Sequence, residues 1–345
     1  MKLLVVIVNF RVPSLVVDCL HSVAQELARV PGTQVAVCEN GSGDDSASTI
    51  RTTIDDNGWQ TWCSLTVSKT NLGFTGGNNV LLRPALQSVD PPQYVLMLNP
   101  DTVVRPNAFK ALVDHMDQNP TIGIVGSRLE DPDGTPQRSA FRFQSPLGEL
   151  EASLKLGLVT RLLERWVVAP PVIDHAFETD WVSGASMMVR SEVLKEVGLL
   201  DEGYFTYFDD IDFCFNAQKR GWPTWYVPTS RVIHLVGQST GVTRKPKRLP
   251  PYLFEARRRY FLKNHSPVYA AMVDACMIAG LALWRLRVLL TGKKDETAPR
   301  LLFDSIRQSV FLAGFKLNEV KPPDPSSSSI QTSQSIEAMP GPSSR

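Results

Sequence analysis

Six apolar residues in a row, Leu3 to Val8, are rich in β-branched side chains and leave no polar face, as in a strand covered on both sides. From Pro13 to Leu27 the spacing changes: Leu15, Val16, Cys19, Leu20 and Val23 share one face of a helix. Val35 to Cys38 predicts a second strand, which runs into the turn-forming loop Glu39-Asn40-Gly41-Ser42-Gly43-Asp44-Asp45. Ser64 to Val67 predicts a third strand, and a Gly/Asn loop from Asn71 to Asn79 precedes another helix. A fourth strand, Tyr94 to Leu98, ends at Asn99-Pro100-Asp101-Thr102. Strands alternating with helices imply an α/β fold whose central sheet is mostly parallel, with the ligand site in the loops at the carboxyl ends of the strands.

Beyond residue 130 the pattern is less regular up to about 180. Trp181 to Val189 then predicts a loop entering a strand, and Ser191 an N-cap for a helix through Val197. A helix is expected over Ile211–Arg220, ended by Gly221. Thr224 to Val227 predicts a strand, the pair Val232-Ile233 a further apolar step, and residues 252–315 are mostly helical. Positions 320–345, rich in Pro, Ser and Gln, are expected to be a disordered tail.

At 345 residues, 43% hydrophobic and 21% charged, the chain has the composition of a globular protein with one or two domains. The formal charge of +1 conceals an asymmetry: residues 1–243 hold 19 Lys/Arg and 27 Asp/Glu, whereas 244–307 hold 14 and 5. The basic part could meet an anionic surface or form a solvated helical face. Ala275 to Trp284 is apolar, but Asp274 and Arg285 bound it, so an interfacial amphipathic helix fits better than a transmembrane one, and a plainly packed helix fits equally well. The expected divisions are a catalytic domain at 1–243, a basic helical extension at 244–319 and the tail at 320–345. Five scattered cysteines contain no CxxC pair, which disfavours a zinc site or a disulfide framework and fits a reducing compartment. The N-terminal apolar run is too short for a signal peptide, so a cytoplasmic location is expected, with room for a peripheral position on the inner face of the plasma membrane.

The candidate chemistry lies in two distant acidic motifs. Asp101 stands at the end of a buried strand; Asp209, Asp210 and Asp212 follow an aromatic run; His234 comes 24 residues after Asp210. Acids at strand ends suit a hard divalent cation holding a diphosphate. Three neighbouring carboxylates repel, which can raise one of them toward use as a base. Each residue also has a structural reading: Asp101 as a helix N-cap, the aspartates as a capping box, His234 as an ordinary structural histidine. Neither GxxxxGK[ST] nor a dinucleotide fingerprint after the first strand is present.

The ordered set VIVNF, CENGSGDD, NLGFTGGNN, LMLNPDT, WVSGASMMV, FTYFDDIDFCFNAQKRGW and VIHLVGQST resembles bacterial family 2 glycosyltransferases of the GT-A fold, and most of all their rhamnosyltransferase-like branch. The resemblance spans about residues 1–265. It implies inverting sugar transfer from a nucleoside diphosphate sugar, most readily L-rhamnose from dTDP-rhamnose, to a hydroxyl of a lipid-linked saccharide or oligosaccharide, helped by Mg²⁺ or Mn²⁺. By motif position, Asp210 is the catalytic base, and Asp101 and His234 the metal ligands. Asn99 replaces the first aspartate of the family's acidic motif. Asn9, Glu39, Asn71, Gly73 and Asn78 fall in the nucleotide loops, and Trp181 and Gly184 in the sugar pocket. A UDP-hexose or UDP-galactofuranose donor is the alternative, and a non-catalytic nucleotide- or carbohydrate-binding module a second. No nucleic-acid partner is expected.

Overall fold

The computed structural model describes residues 1–235, 248–292, 294–295 and 297–319. The expected tail at 320–345, the end of the VIHLVGQST motif and the expected boundary at 243/244 lie outside these residues.

In chain order the first half contains β1 (Leu3–Asn9), α1 (Pro13–Ala24), β2 (Thr33–Asn40), α2 (Ser46–Asp56), β3 (Cys63–Ser68), α3 (Gly73–Leu86), β4 (Tyr94–Leu98), β5 (Thr102–Val104), α4 (Ala108–Gln118) and β6 (Ile124–Glu130). The second half contains β7 (Ala140–Phe141), α5 (Pro146–Leu154), α6 (Gly157–Leu162), β8 (Phe177–Thr179), β9 (Trp181–Val182), β10 (Ser186–Arg190), α7 (Ser191–Val197), α8 (Asp209–Gln218) and β11 (Thr224–His234), then α9 (Pro251–Asn264), α10 (Pro267–Thr291), α11 (Leu301–Gln308) and α12 (Val310–Ala313).

The main sheet has the order β3-β2-β1-β4-β10-β6-β11-β5, with β8 also paired to β11. β1 to β4 are mutually parallel, β10 is antiparallel to both β4 and β6, and β11 is parallel to β6. β1 is buried along its whole length, which explains why it carries no polar face: α1, α2 and α4 cover one side through Val16, Leu20, Ile50 and Phe109. The other side is covered by α3, α7 and α8 through Leu82, Leu194, Phe213 and Cys214.

Three local expectations are corrected. The segment Asn71 to Asn79 is not mainly a loop, because α3 begins at Gly73. Ser191 is the first residue of α7 rather than its cap, and its hydroxyl donates to the Pro92 carbonyl. The strand read as two pieces is one, β11, whose register shifts between Val227 and Arg231. The irregular stretch 130–180 holds the short elements β7, α5, α6 and β8.

The C-terminal helices pack on the body. Arg257 of α9 is held between Asp274 of α10 (2.5 Å) and Glu149 of α5 (3.4 Å). Gly280 of α10 lets that helix close on α5, since a Cβ there would lie 2.6 Å from the Ser153 Cβ. Among the described residues, part of the positive charge of this region is taken up by such contacts: Arg248 pairs with Asp304, Arg259 with Asp201, and Lys263 with Asp201 and Asp212.

Candidate active site

β5 and β11 run antiparallel, with His234 opposite Thr102, and the Leu235 amide donates to the Asp101 carbonyl. This register brings two residues 133 positions apart in sequence together: His234 Nε2 lies 3.6 Å from Asp101 Oδ1. Asp101 is buried and His234 is 15% exposed. The alternative reading of Asp101 as a helix N-cap is not realised, because α4 starts at Ala108 and Asp101 sits before β5. Two donor atoms sharing one small divalent ion, each about 2.1 Å from it, lie about 3–4 Å apart. One carboxylate oxygen and one imidazole nitrogen at 3.6 Å therefore have a spacing that fits such an ion. Among the described residues no group of three or more His, Cys, Asp and Glu side chains could hold a metal.

A hydrogen-bonded path links this pair to the second acidic motif. The Asn99 amide at the end of β4 donates to the Ala185 carbonyl (3.0 Å), and the neighbouring Gly184 amide donates to Asp210 Oδ2 (3.1 Å). Asp210 Oδ1 accepts from the Ile211 amide at 2.9 Å. Burial raises the Asp210 pKa, and these two amides pull it back only in part. Asp209 beside it is buried and is raised well above the usual range, first by burial and then by the Asp210 charge. Asp212 serves the scaffold instead. It accepts from Asn264 (2.6 Å), Tyr204 (3.1 Å) and Lys263 (2.7 Å), which ties α8 to α9. The three carboxylates are thus distinguished by their surroundings, with Asp210 half-buried.

The first-half loops converge on the same end of the sheet. Asn71 Oδ1 accepts from the Gly73 amide (2.9 Å) and from Asn40 Nδ2 (3.1 Å). Asn40 is a bracket the sequence did not single out: it also donates to the Gly73 carbonyl and accepts from the Leu72 amide. Gly73 has φ +73, and a Cβ there would lie 2.3 Å from the Phe205 carbonyl oxygen, so the chain before Asp209 closes over the start of α3. Gly77 likewise lets protein segments approach: a Cβ there would lie 2.6 Å from Val8 Cγ1.

Several of the candidate donor-site residues make hydrogen bonds within the protein. Glu39 is buried and accepts from the Ser42 amide at 2.8 Å. Asn9 is buried, with Nδ2 3.4 Å from Ser42 Oγ and Oδ1 accepting from Val12. Asn78 donates to the Phe74 carbonyl of its own helix. Asn99 is half-buried, and its carbonyl accepts from Thr102. Trp181 stacks on Phe141 at 4.2 Å and donates to the Arg142 carbonyl, so one ring face is already covered.

The mixed sheet, with the acid–histidine pair beyond the end of β4 and at the end of β11, has a fold of the GT-A type. Residues 2–249 match the model of a family described as glycosyltransferase like family 2, and the chain belongs to that family. It is 31% identical over 156 residues to an N-acetylglucosaminyl-diphospho-decaprenol L-rhamnosyltransferase of Mycobacterium tuberculosis, covering 43% of this chain and 48% of that one. The chain thus spans about half the length of this relative. It is 26% identical over 254 residues to the low-salt glycan biosynthesis hexosyltransferase Agl10 of Haloferax volcanii, covering 71% and 76%. The rhamnosyltransferase WbbL of Escherichia coli is 25% identical over 165 residues, covering 47% of this chain and 60% of that one. Among solved structures, GalNAc-T7 with UDP, GalNAc and Mn²⁺ superposes with a TM-score of 0.59 at 16% identity, covering 83% of this chain and 54% of that one. That likeness is one of fold.

Proposed function

We propose that this family 2 glycosyltransferase performs inverting transfer of L-rhamnose from dTDP-rhamnose to a hydroxyl of a lipid-linked saccharide destined for a cell-surface polysaccharide. The observation that carries the catalytic part is the convergence of Asp101 and His234 at 3.6 Å with a hydrogen-bonded path from Asn99 through Ala185 and Gly184 to Asp210. The rhamnosyl donor and lipid-linked acceptor draw on the names of the mycobacterial and Escherichia coli relatives. Peripheral attachment at the cytoplasmic membrane belongs to the same reading.

In this mechanism Asp210 accepts the proton of the acceptor hydroxyl as its oxygen attacks the anomeric carbon. The bond from that carbon to the diphosphate oxygen breaks, and the nucleoside diphosphate leaves with the electron pair. The Gly184 amide holds the Asp210 carboxylate in place. Asp101 and His234 would hold Mg²⁺ or Mn²⁺, which when bound offsets charge on the departing diphosphate. Asn71, Gly73 and Asn99 would position the donor through the loop frame that Asn40 braces, with Asn9, Glu39 and Asn78 supporting that frame from inside. Trp181 would offer its open ring face to a sugar.

The Haloferax relative, aligned over the longer stretch and called a hexosyltransferase, favours a second reading in which the same site takes another hexose donor, such as a UDP-hexose. A donor panel with radiolabelled sugars separates the two. For the base assignment, Asp210→Asn should lower transfer by about 10²–10⁴-fold, as loss of a general base does, while donor binding persists. Unchanged transfer in that variant would remove Asp210 from the mechanism.

A further inference from the structure

The 25-residue helix α10 is apolar on two faces, and only one is covered. Its inner face, with Ala270, Val273, Met277 and Leu281, packs on the body. Its outer face presents Val268, Met272, Leu283, Leu286 and Leu290, each more than half exposed, with Ala275 and Ala279 exposed between them. The spacing follows one side of an α-helix for its whole length. Further exposed apolar side chains lie on elements that contact this helix. Phe303 and Ile306 lie on α11, which packs on α10, and Phe311 and Leu312 follow on α12. Near the other end of the stripe, Lys155 lies over the Trp284 ring and its carbonyl accepts from Arg287, placing the start of α6 and its exposed Leu158 beside the helix. Exposed apolar surface this continuous marks an interaction site.

The charge around the stripe points to the occupant. Arg161, Lys294, Arg300 and Arg307 are exposed on the elements that flank it. Asp295 is engaged with Arg285 and with Trp284. A second copy of this face would set these cations against one another, whereas an anionic lipid surface complements them. The contacts of the inner face argue against a helix that crosses a bilayer: Asp274 is buried there with Arg257 and the Val310 amide, and Gly280 is locked against α5. Only a third of its most apolar window is buried in the protein, which leaves the outer face free to enter the headgroup–acyl boundary.

We propose that the outer stripe of α10, with the exposed ends of α6, α11 and α12, docks this protein flat on an anionic bilayer. This names the surface behind the membrane part of the function proposed above. It is read without donor or acceptor, so either claim can fail alone. The test is co-sedimentation of the full chain with phosphatidylcholine vesicles with and without phosphatidylglycerol, at low and high salt. The wild type should bind the phosphatidylglycerol vesicles and release with salt. Leu286→Glu with Leu290→Glu should lower the partition coefficient at least about tenfold, and Arg300→Glu with Arg307→Glu should do so on anionic vesicles. Unchanged thermal melting of both variants checks that they fold. Failure of the wild type to bind phosphatidylglycerol vesicles at low salt overturns the proposal. So does binding that neither variant weakens, or a wild-type dimer in vesicle-free solution that the leucine variant splits.

Discussion

Lys263 is the strut between the C-terminal helices and the segment that carries the base. Its ammonium lies 2.7 Å from Asp201 and 2.7 Å from Asp212, on either side of the Asp209-Asp210 pair. In Lys263→Met, Asp201 keeps Arg259 at 2.9 Å and the Gly203 amide at 2.8 Å. Asp212, whose side chain is 6% exposed, keeps only the neutral donors Asn264 and Tyr204. Breaking a fully buried pair costs about 3–5 kcal/mol and an exposed one about 0–1 kcal/mol. Lys263 is 28% exposed, so the case lies between these limits, at about 2–3 kcal/mol. For a chain of this size that is a fall in Tm of about 4 °C. The effect has a pH signature. Burial raises the Asp201 pKa, but Lys263, the Gly203 amide and Arg259 outweigh it and hold it below its ordinary 3.8. A depressed carboxylate stabilises above its unfolded pKa and loses that stabilisation as pH falls through the folded value. The share of the gap that Lys263 contributes through Asp201 should therefore persist at pH 7 and close below about pH 4. Thermal melting followed by circular dichroism across this range is the assay. A melting point within 1 °C of wild type at pH 7, on the scale of about 4 °C expected, would refute the reasoning.

Other consequences follow from the same geometry. Because Asp210 must be ionised to act as a base and burial raises it, kcat/KM should fall with decreasing pH through a midpoint above the ordinary aspartate value, and Asp210→Asn should erase that limb. Gly73→Ala forces a Cβ into the Phe205 carbonyl at positive φ and should cost about 2–4 kcal/mol, read by denaturant titration. Arg257→Met leaves the Asp274 carboxylate buried without its cation, facing the Val310 amide, and should cost about 3–5 kcal/mol, with limited proteolysis releasing the C-terminal helices earlier.

The parts legible in the sequence were those written in strong, local chemistry. The apolar runs of β1 and β4 could only be buried strands, and a polar Asn99-Pro100-Asp101 directly after such a strand marks the ligand end of a sheet. The meeting of Asp101 with His234 was expected from motif order and rests physically on the β5–β11 register, which no local pattern reveals. Pro228 and the shift after Val227 broke the apolar run that would have shown β11 as one strand. Glu39 and Asn40 are neighbours of similar polarity, and only the fold decides that one braces its own turn while the other holds the start of α3. The basic stretch after residue 244 left open an anionic partner surface or a solvated helical face, and most of its described arginines and Lys263 meet carboxylates or carbonyls. The exposed side of α10 was hidden because both of its faces are apolar, which leaves no period to detect.

The central claim is that Asp101 and His234 hold a divalent ion that binds the donor's diphosphate while Asp210 acts only in transfer. Calorimetric titration with dTDP-rhamnose, with and without Mn²⁺, tests it on the wild type, Asp101→Ala and Asp210→Asn. The account predicts Mn²⁺-dependent binding in the wild type and in Asp210→Asn, and loss of that dependence in Asp101→Ala. Equal affinity with and without Mn²⁺ in the wild type, or full Mn²⁺-dependent binding in Asp101→Ala, would contradict it.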